Sequence, residues 1–142
     1  MSNGGTGDDV LIGGQGNDIL TGGSGADTFK WVSGDQGVAG TPAVDTIADF
    51  NMATSGTEKD VLDLSLLLVS ETPGNLAGNY LHFAYDSETG ATTVHIATGG
   101  IGATNPPNVN QEIVLQGVNL TTIGSDSDIV TYLLANSKLI IT

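Results

Sequence analysis

A nine-residue spacing of glycine runs through the first thirty residues and constrains the fold more than any other feature. The chain reads Gly4-Gly5-Thr6-Gly7-Asp8-Asp9-Val10-Leu11-Ile12, then Gly13-Gly14-Gln15-Gly16-Asn17-Asp18-Ile19-Leu20-Thr21, then Gly22-Gly23-Ser24-Gly25-Ala26-Asp27-Thr28-Phe29-Lys30. Glycine fills positions 1, 2 and 4 of every copy, Asp fills position 6, and a large apolar residue fills position 8. Glycine tolerates positive φ and close backbone approach, so the first six residues of each copy are expected to turn. The last three are expected to form a short strand. One apolar side chain per strand, Leu11, Leu20 or Phe29, points inward, so successive strands alternate between two parallel sheets that share a thin core. Turns two copies apart then stack on one edge. The turn holding Asp9 is expected over the turn holding Asp27, with Asp18 on the opposite edge.

What can bind between such turns follows from the charge. Of 142 residues, 16 are Asp or Glu against 3 Lys and no Arg, with 2 His, a formal net charge of −13. So few cations cannot neutralise phosphates, which excludes nucleic acid and anionic membrane surfaces as partners. Between stacked turns, backbone carbonyls and position-6 carboxylates converge into an all-oxygen cage of the kind a hard cation such as Ca²⁺ requires. With no cysteine there is no disulfide, thiolate metal site or cysteine nucleophile. No Gly-Lys-Ser/Thr follows the glycines, so they do not form a phosphate-binding loop. A mean hydropathy of +0.10 and 39% hydrophobic residues support a folded chain rather than a disordered one. The longest apolar stretch, Val61 to Val69, is broken by Asp63 and Ser65 and is too short to cross a bilayer, so no membrane insertion is expected.

The nonapeptides resemble those of the repeats-in-toxin (RTX) family, whose Gly-Gly-x-Gly-x-Asp copies bind Ca²⁺ in a parallel β-roll. The resemblance implies a mainly all-β fold: a short right-handed parallel β-roll over residues 1–36, then a β-rich C-terminal domain over 37–142 with one or two short helices. By position it assigns one Ca²⁺ site to the carbonyls of Gly4 and Thr6 with the Asp9 carboxylate, closed by the carbonyls of Gly23 and Gly25 with the Asp27 carboxylate. Asp18 needs a partner from beyond the third copy. The next nonapeptide in register, from Trp31, has Gly34 at position 4 but Gln36 at position 6, so Asp35 or Asp45 is expected to complete that second site.

Beyond a loop from Trp31 to Pro42, Asp45-Thr46-Ile47-Ala48-Asp49-Phe50 and Asp60-Val61-Leu62-Asp63-Leu64-Ser65 resemble two elements that commonly follow RTX repeats. Their carboxylates, Asp45, Asp49, Asp60 and Asp63, serve either as turn and helix caps or as further Ca²⁺ ligands. Leu64 to Glu71 reads as a short helix or turn. Tyr80 to Tyr85 and Thr93 to Ile96 alternate around Asp86-Ser87-Glu88-Thr89-Gly90, a hairpin signal. Pairing Asp86 with Ala91 sets Phe83 opposite Val94, Leu81 opposite Ile96, and His82 opposite His95. The two imidazoles have no evident third ligand and read as a solvent-facing cross-strand pair. Glu112 to Val118 forms another strand, Ser125 to Asn136 has helical spacing at Ile129, Leu133 and Leu134, and Lys138 to Thr142 forms a last strand.

This order looks like the C-terminal secretion domain of large RTX adhesins exported by type I secretion systems. The resemblance implies a secreted, cell-surface protein of a Gram-negative bacterium, with two partners: the exporter, contacted by roughly Asp128 to Thr142, and upstream modules of a larger adhesin. Met1 is followed at once by Ser-Asn-Gly-Gly, so export is expected not to use an N-terminal signal in this chain, and the repeats are expected to continue a longer array. With no His-Glu-x-x-His helix and no Gly-x-Ser-x-Gly elbow, the chain is expected not to be an enzyme. The other function class compatible with these residues is a Ca²⁺-dependent ligand-binding module for glycans or ice. Position 9 reads Ile12, Thr21 and Lys30, which is no rank of threonines for ice. The chain is expected to be a monomer.

Overall fold

The computed structural model describes residues 2–54, 56–68, 77–100, 102–104 and 106–141. Among the described residues ten strands form in chain order: β1 (Ser2–Thr6), β2 (Val10–Ile12), β3 (Ile19–Ser24), β4 (Thr28–Val32), β5 (Ala43–Ile47), β6 (Val61–Leu66), β7 (Leu81–Asp86), β8 (Ala91–Ile96), β9 (Gln111–Gln116) and β10 (Leu139–Ile140). The helix α1 (Asp126–Ala135) separates the last two. One sheet has the order β1-β3-β5-β9-β8-β7 and the other β10-β6-β4-β2. Odd strands up to β5 lie in the first and even strands up to β6 in the second, as the alternation of inward residues requires. Within the described residues no helix is long and apolar enough to cross a membrane.

All pairings in the second sheet are parallel, as are β1-β3, β3-β5 and β5-β9 in the first. Leu11, Leu20 and Phe29 are 5%, 0% and 0% exposed, whereas Val10 and Ile12 on either side of Leu11 are 66% and 48% exposed. One inward side chain per short strand therefore builds the thin core between the sheets. β1 and β3 run further into the glycines than expected, through Thr6 and Ser24, so the turns on that edge shrink to residues 7–9 and 25–27. Trp31 is strand rather than loop: it lies in β4, wholly buried.

The sheets do not stop where the glycines do. β5 pairs in parallel with β3 and β6 with β4, so both sheets run without interruption across the expected division at 36/37, and one apolar cluster spans residues 11 to 141. The antiparallel hairpin β7-β8 has the expected register, with Leu81 opposite Ile96, Phe83 opposite Val94 and Asp86 opposite Ala91. Part of the expected helix or turn from Leu64 to Glu71 lies outside the described residues. Its described part ends β6 and buries Leu67 and Leu68. The expected helix forms behind a capping box in which Ser125 and Asp128 satisfy each other's backbone N–H groups. It buries Ile129, Val130 and Leu133 and packs against β7 and β10.

Gly5 and Gly23 show what the stacking demands. Both have left-handed backbones, with φ of 96° and 94°. A Cβ on Gly5 would meet nothing within 4 Å, but one on Gly23 would collide with the carbonyl oxygen of Gly5 in the neighbouring rung. Gly5→Ala is expected to cost about 1–2 kcal/mol from the left-handed backbone alone. Gly23→Ala should cost at least twice as much, because the rungs must also part. Urea denaturation of the two variants in saturating Ca²⁺ measures the difference.

Candidate metal centre

The position-6 carboxylates, with Asp45 and Asp60 from beyond the repeats, form two ladders, one on each edge of the roll. On the first edge Asp27 Oδ1 accepts the N–H of Asp9 at 3.0 Å, and Asp60 Oδ1 accepts the N–H of Asp27 at 2.9 Å. On the other edge Asp45 Oδ1 accepts the N–H of Asp18 at 2.8 Å. Each carboxylate thus reaches to the backbone of the rung before it, and parallel pairing carries the arrangement along the stack. The predicted neighbours are neighbours: Asp9 lies beside Asp27, with Gly5 opposite Gly23 and Thr6 opposite Ser24 in the adjoining strands.

The second carboxylate oxygens divide into two classes. Four buried side-chain polar atoms among the described residues lack a hydrogen-bond partner: Oδ2 of Asp9, Asp18 and Asp27, and Gln111 Oε1. Each of those three Oδ2 atoms is tucked against the first glycine of its own repeat. A Cβ on Gly4 would lie 2.6 Å from Asp9 Oδ2, one on Gly13 3.0 Å from Asp18 Oδ2, and one on Gly22 would collide with Asp27 Oδ2. The repeat's first glycine is therefore a seat for its own aspartate. By contrast, Asp60 Oδ2 accepts from the N–H of Asn51 at 2.8 Å, and Asp45 Oδ2 accepts from Trp31 Nε1 at 2.7 Å and Gln111 Nε2 at 2.9 Å.

A buried carboxylate oxygen without a donor is costly, and a hard cation removes that cost. The donor set fits Ca²⁺, since it consists of carboxylates and the backbone of glycine turns. Among the described residues no three Asp, Glu or His side chains converge as a metal cluster. A cation here would take most of its ligands from backbone carbonyls. Of the residues expected to supply them, Gly4 and Thr6 lie in β1, Gly23 in β3 and Gly25 at the head of the next turn. The structure brings Asp45 beside Asp18 but spends both of its oxygens on N–H donors, so it pins Trp31 rather than offering a free ligand atom. Asp35 is buried in the turn after β4, where its Oδ2 accepts from the N–H of Val32, and Gly34 O in the same turn accepts from Gln15 Nε2.

Further carboxylates line the first edge. Asp49 accepts from the N–H groups of Gly22 and Gly23, Glu58 from Gly25 and Asp8 from Ala26. Asp49 and Asp60 are thus caps of the glycine turn, and Asp63 accepts from Ser65 and lies 3.7 Å from Lys30 Nζ. Asp8 and Glu58 were not singled out from the sequence. Asp8 could have been found as the residue preceding a position-6 aspartate, whereas Glu58 lies in an aperiodic turn and gives no signal.

Burial raises the carboxyls of Asp27, Asp45 and Asp60 above their ordinary value, and the charges of Asp9, Asp49 and Asp8 add to the effect on Asp27. A folded state that holds protons more tightly than the unfolded chain gains stability as pH falls towards 3.8 and carries the full penalty at neutral pH. His95 works the other way, since burial lowers it from 6.5, and Asp128, lowered by its bonds from Ser125, opposes only near and below 3.8. Relief of three carboxylates and of a net charge of −13 outweighs one imidazole, so the chelated chain is expected to melt higher at pH 4.5 than at pH 7. In saturating Ca²⁺ the slope reverses, because protons then compete with the cation. Thermal melts in chelator and in Ca²⁺ test both signs.

The two imidazoles face each other across β7 and β8 as expected, stacked at 5.7 Å between ring centroids. Rather than facing solvent they are half-buried, with His82 Nδ1 2.7 Å from Asp126 and His95 Nδ1 3.5 Å from Glu112.

Comparison with known proteins agrees with this geometry. Residues 3–29 match the RTX calcium-binding nonapeptide repeat (4 copies). No curated protein matches the chain. Among solved structures, the AlgE6R3 subunit of the Azotobacter vinelandii mannuronan C5-epimerase is 28% identical with a TM-score of 0.58, over 82% of this chain and 59% of that one. The AlgE6R2 subunit of the same enzyme is 24% identical with a TM-score of 0.59, over 99% and 86% of the two chains, and shows the fold alone. The chain thus spans less than two thirds of the length of the first of these. RTX repeats bind Ca²⁺ and generally occur in secreted proteins. The chain carries RTX calcium-binding nonapeptide repeats, on a β-roll similar to the R subunits of a mannuronan C5-epimerase.

Proposed function

We propose that this chain is a Ca²⁺-driven folding module, not an enzyme, which forms the C-terminal, export-directing part of a larger adhesin carried to the cell surface by a type I secretion system. The observation that supports the metal half is that three buried Oδ2 atoms on the glycine turns lack a donor, those of Asp9 and Asp27 on one edge and that of Asp18 on the other. Bound Ca²⁺ supplies the positive charge these carboxylates lack. The chain does the rest: glycines 4, 13 and 22 admit the carboxylates, a ladder bond from the Asp9 N–H holds Oδ1 of Asp27, and parallel pairing transmits order from rung to rung. At cytosolic Ca²⁺ the carboxylate repulsion and the entropy of the glycine turns keep the glycine rungs unfolded. Outside, at roughly millimolar Ca²⁺, sites of about 10⁻⁴–10⁻³ M affinity fill, and binding free energy becomes folding free energy. Folding at the exit then opposes backsliding.

The export half is supported by the likeness of the C-terminal elements to those of secreted RTX adhesins. Residues 128–141 also carry structure, since β10 pairs with β6 and α1 covers the core. A truncation alone would therefore confound export with folding. Export of a passenger fused ahead of the chain, in cells with a type I exporter, separates them. Deleting 128–142 should stop export, while Leu139→Asp, which spoils folding but keeps the segment, should be exported and remain unfolded outside. Equal export of all three chains contradicts the signal assignment.

One observation favours a second reading, Ca²⁺-dependent glycan binding: the AlgE6R3 structure it resembles is a subunit of an enzyme named for mannuronan. Retention on a glycan array that requires Ca²⁺ would support that reading for this chain.

A further inference from the structure

Lys138 is a cation buried at the far end of the ladder. Its side chain is wholly buried, and its three ammonium hydrogens go to three backbone carbonyls: Asn51 O at 2.9 Å, Ala53 O at 2.7 Å and Asp60 O at 2.9 Å. The ammonium also lies 5.3 Å from the Phe50 ring centroid. Lysine is almost never buried this fully without compensation, so the arrangement demands a reason.

Its place in the stack supplies one. The second sheet runs β2, β4, β6, β10, and the first-edge ladder climbs the same way through Asp9, Asp27 and Asp60. There the carboxylate ladder ends: Asp60 turns its Oδ2 onto the Asn51 N–H, and the next strand brings Lys138, whose carbonyl accepts from the N–H of Leu62. The turn between β5 and β6 is long, from Ala48 to Asp60, where the glycine turns on this edge need three residues. The extra length wraps carbonyls 51, 53 and 60 around one point. Backbone oxygens converging on a positive charge are the donor chemistry of a Ca²⁺ site, here filled by a covalently attached cation.

We propose that Lys138 is a tethered cation that closes this end of the roll in place of a metal ion, so that the long turn and the β6-β10 pair fold without Ca²⁺ while the glycine rungs require it. The proposal goes beyond Ca²⁺ binding, because it divides the chain into a metal-independent half and a metal-dependent half. Burial lowers the Lys138 ammonium to about 8 while the Asp60 carboxylate pulls it back up, so it keeps its charge at pH 7. Folding then has a direction: the C-terminal half forms first and presents β5 and β6 as a template on which Ca²⁺ orders the glycine rungs.

The test is acylation of the chain's three lysines, read residue by residue by mass spectrometry in chelator at pH 7. Lys138 should react at least about 100-fold more slowly than Lys59 in chelator, as expected for a group exposed only by opening of its unit. Backbone hydrogen exchange in the same buffer should show protection at Leu62 and none at Asp9 and Thr28. Adding Ca²⁺ should extend protection to those two while leaving Lys138 as slow as before. Lys138→Met keeps the length but removes the charge and all three donors, and should lose the protection at Leu62 in chelator. Lys138 as reactive as Lys59 in chelator, protection of it only after Ca²⁺ is added, or a Lys138→Met chain with unchanged Leu62 protection would each overturn the proposal. A chain protected throughout in chelator would overturn Ca²⁺-driven folding and with it the division into halves. Slow Lys138 reaction in that case would leave the buried ammonium standing.

Discussion

Asp27→Ala is expected to leave the glycine rungs unfolded at millimolar Ca²⁺, the largest change in metal response of any single substitution in the chain. Asp27 is the middle rung of the three-carboxylate ladder. Its Oδ1 accepts from the N–H of Asp9, its own N–H donates to Asp60, and its Oδ2 is one of the three donorless atoms. Alanine orphans the Asp9 N–H, worth about 1–3 kcal/mol where it is buried, and removes a carboxylate ligand as well. Asp27→Asn separates the two effects. The amide oxygen still accepts from Asp9, so the ladder survives, but the lost charge should raise the Ca²⁺ midpoint about tenfold or more, each factor of ten being about 1.4 kcal/mol. Calorimetric Ca²⁺ titration of both variants beside the parent chain checks the order parent, Asn, Ala. An unchanged midpoint in Asp27→Asn would remove this carboxylate from the metal centre.

Asp45→Ala is expected to give the largest loss of stability that Ca²⁺ cannot restore. Asp45 is wholly buried, and three donors depend on it: the Asp18 N–H, Trp31 Nε1 and Gln111 Nε2. Leaving all three unsatisfied at about 1–3 kcal/mol each costs about 3–6 kcal/mol after partial relaxation, much of the 5–15 kcal/mol typical of a domain. Trp31 is the chain's single tryptophan, so its fluorescence reports the site directly. Urea titration in saturating Ca²⁺, followed by that fluorescence, should show the midpoint collapse in Asp45→Ala. Asp45→Asn keeps one acceptor and should fall between. A parent-like midpoint in both variants would mean that water satisfies these donors.

The two aspartates differ in how plainly the sequence announces them. Asp27 is the sixth residue of a glycine repeat and its stacking on Asp9 was legible, as were the inward Leu11, Leu20 and Phe29 and the full register of the β7-β8 hairpin. Those features rest on local periods, nine residues in one case and two in the other. The continuation of the roll through β5, β6, β9 and β10 was not legible, for a physical reason. Asp9 and Asp27 are 18 residues apart, but Asp18 and Asp45 are 27 apart and Asp27 and Asp60 are 33 apart. Inserted loops broke the period while the carboxylate kept its rung. The surviving signal is slight: Asp9, Asp27 and Asp60 each immediately precede a strand that opens on Val or Thr. Glu58 and Lys138 lie outside any period, and only three-dimensional proximity reveals that one caps a glycine turn and the other fills a ring of three backbone carbonyls.

The capping bonds also explain how so acidic an edge holds together. Asp8, Asp49, Glu58 and Asp60 accept from five successive or near-successive N–H groups, those of Gly22, Gly23, Gly25, Ala26 and Asp27. Backbone donors thus absorb the outer carboxylates, and the inner Oδ2 atoms are left for a cation. Sequence, fold and chemistry meet at this edge: glycine admits the carboxylate, the parallel ladder aligns it, and alignment without donors calls for Ca²⁺.

Far-UV circular dichroism of the chain, titrated with Ca²⁺ from a chelated start, tests the central claim most directly. A partial β signal in chelator that grows to full amplitude near millimolar Ca²⁺, and fails to grow in Asp9→Ala/Asp27→Ala, is the predicted result. A full β signal in chelator that Ca²⁺ does not change would contradict it.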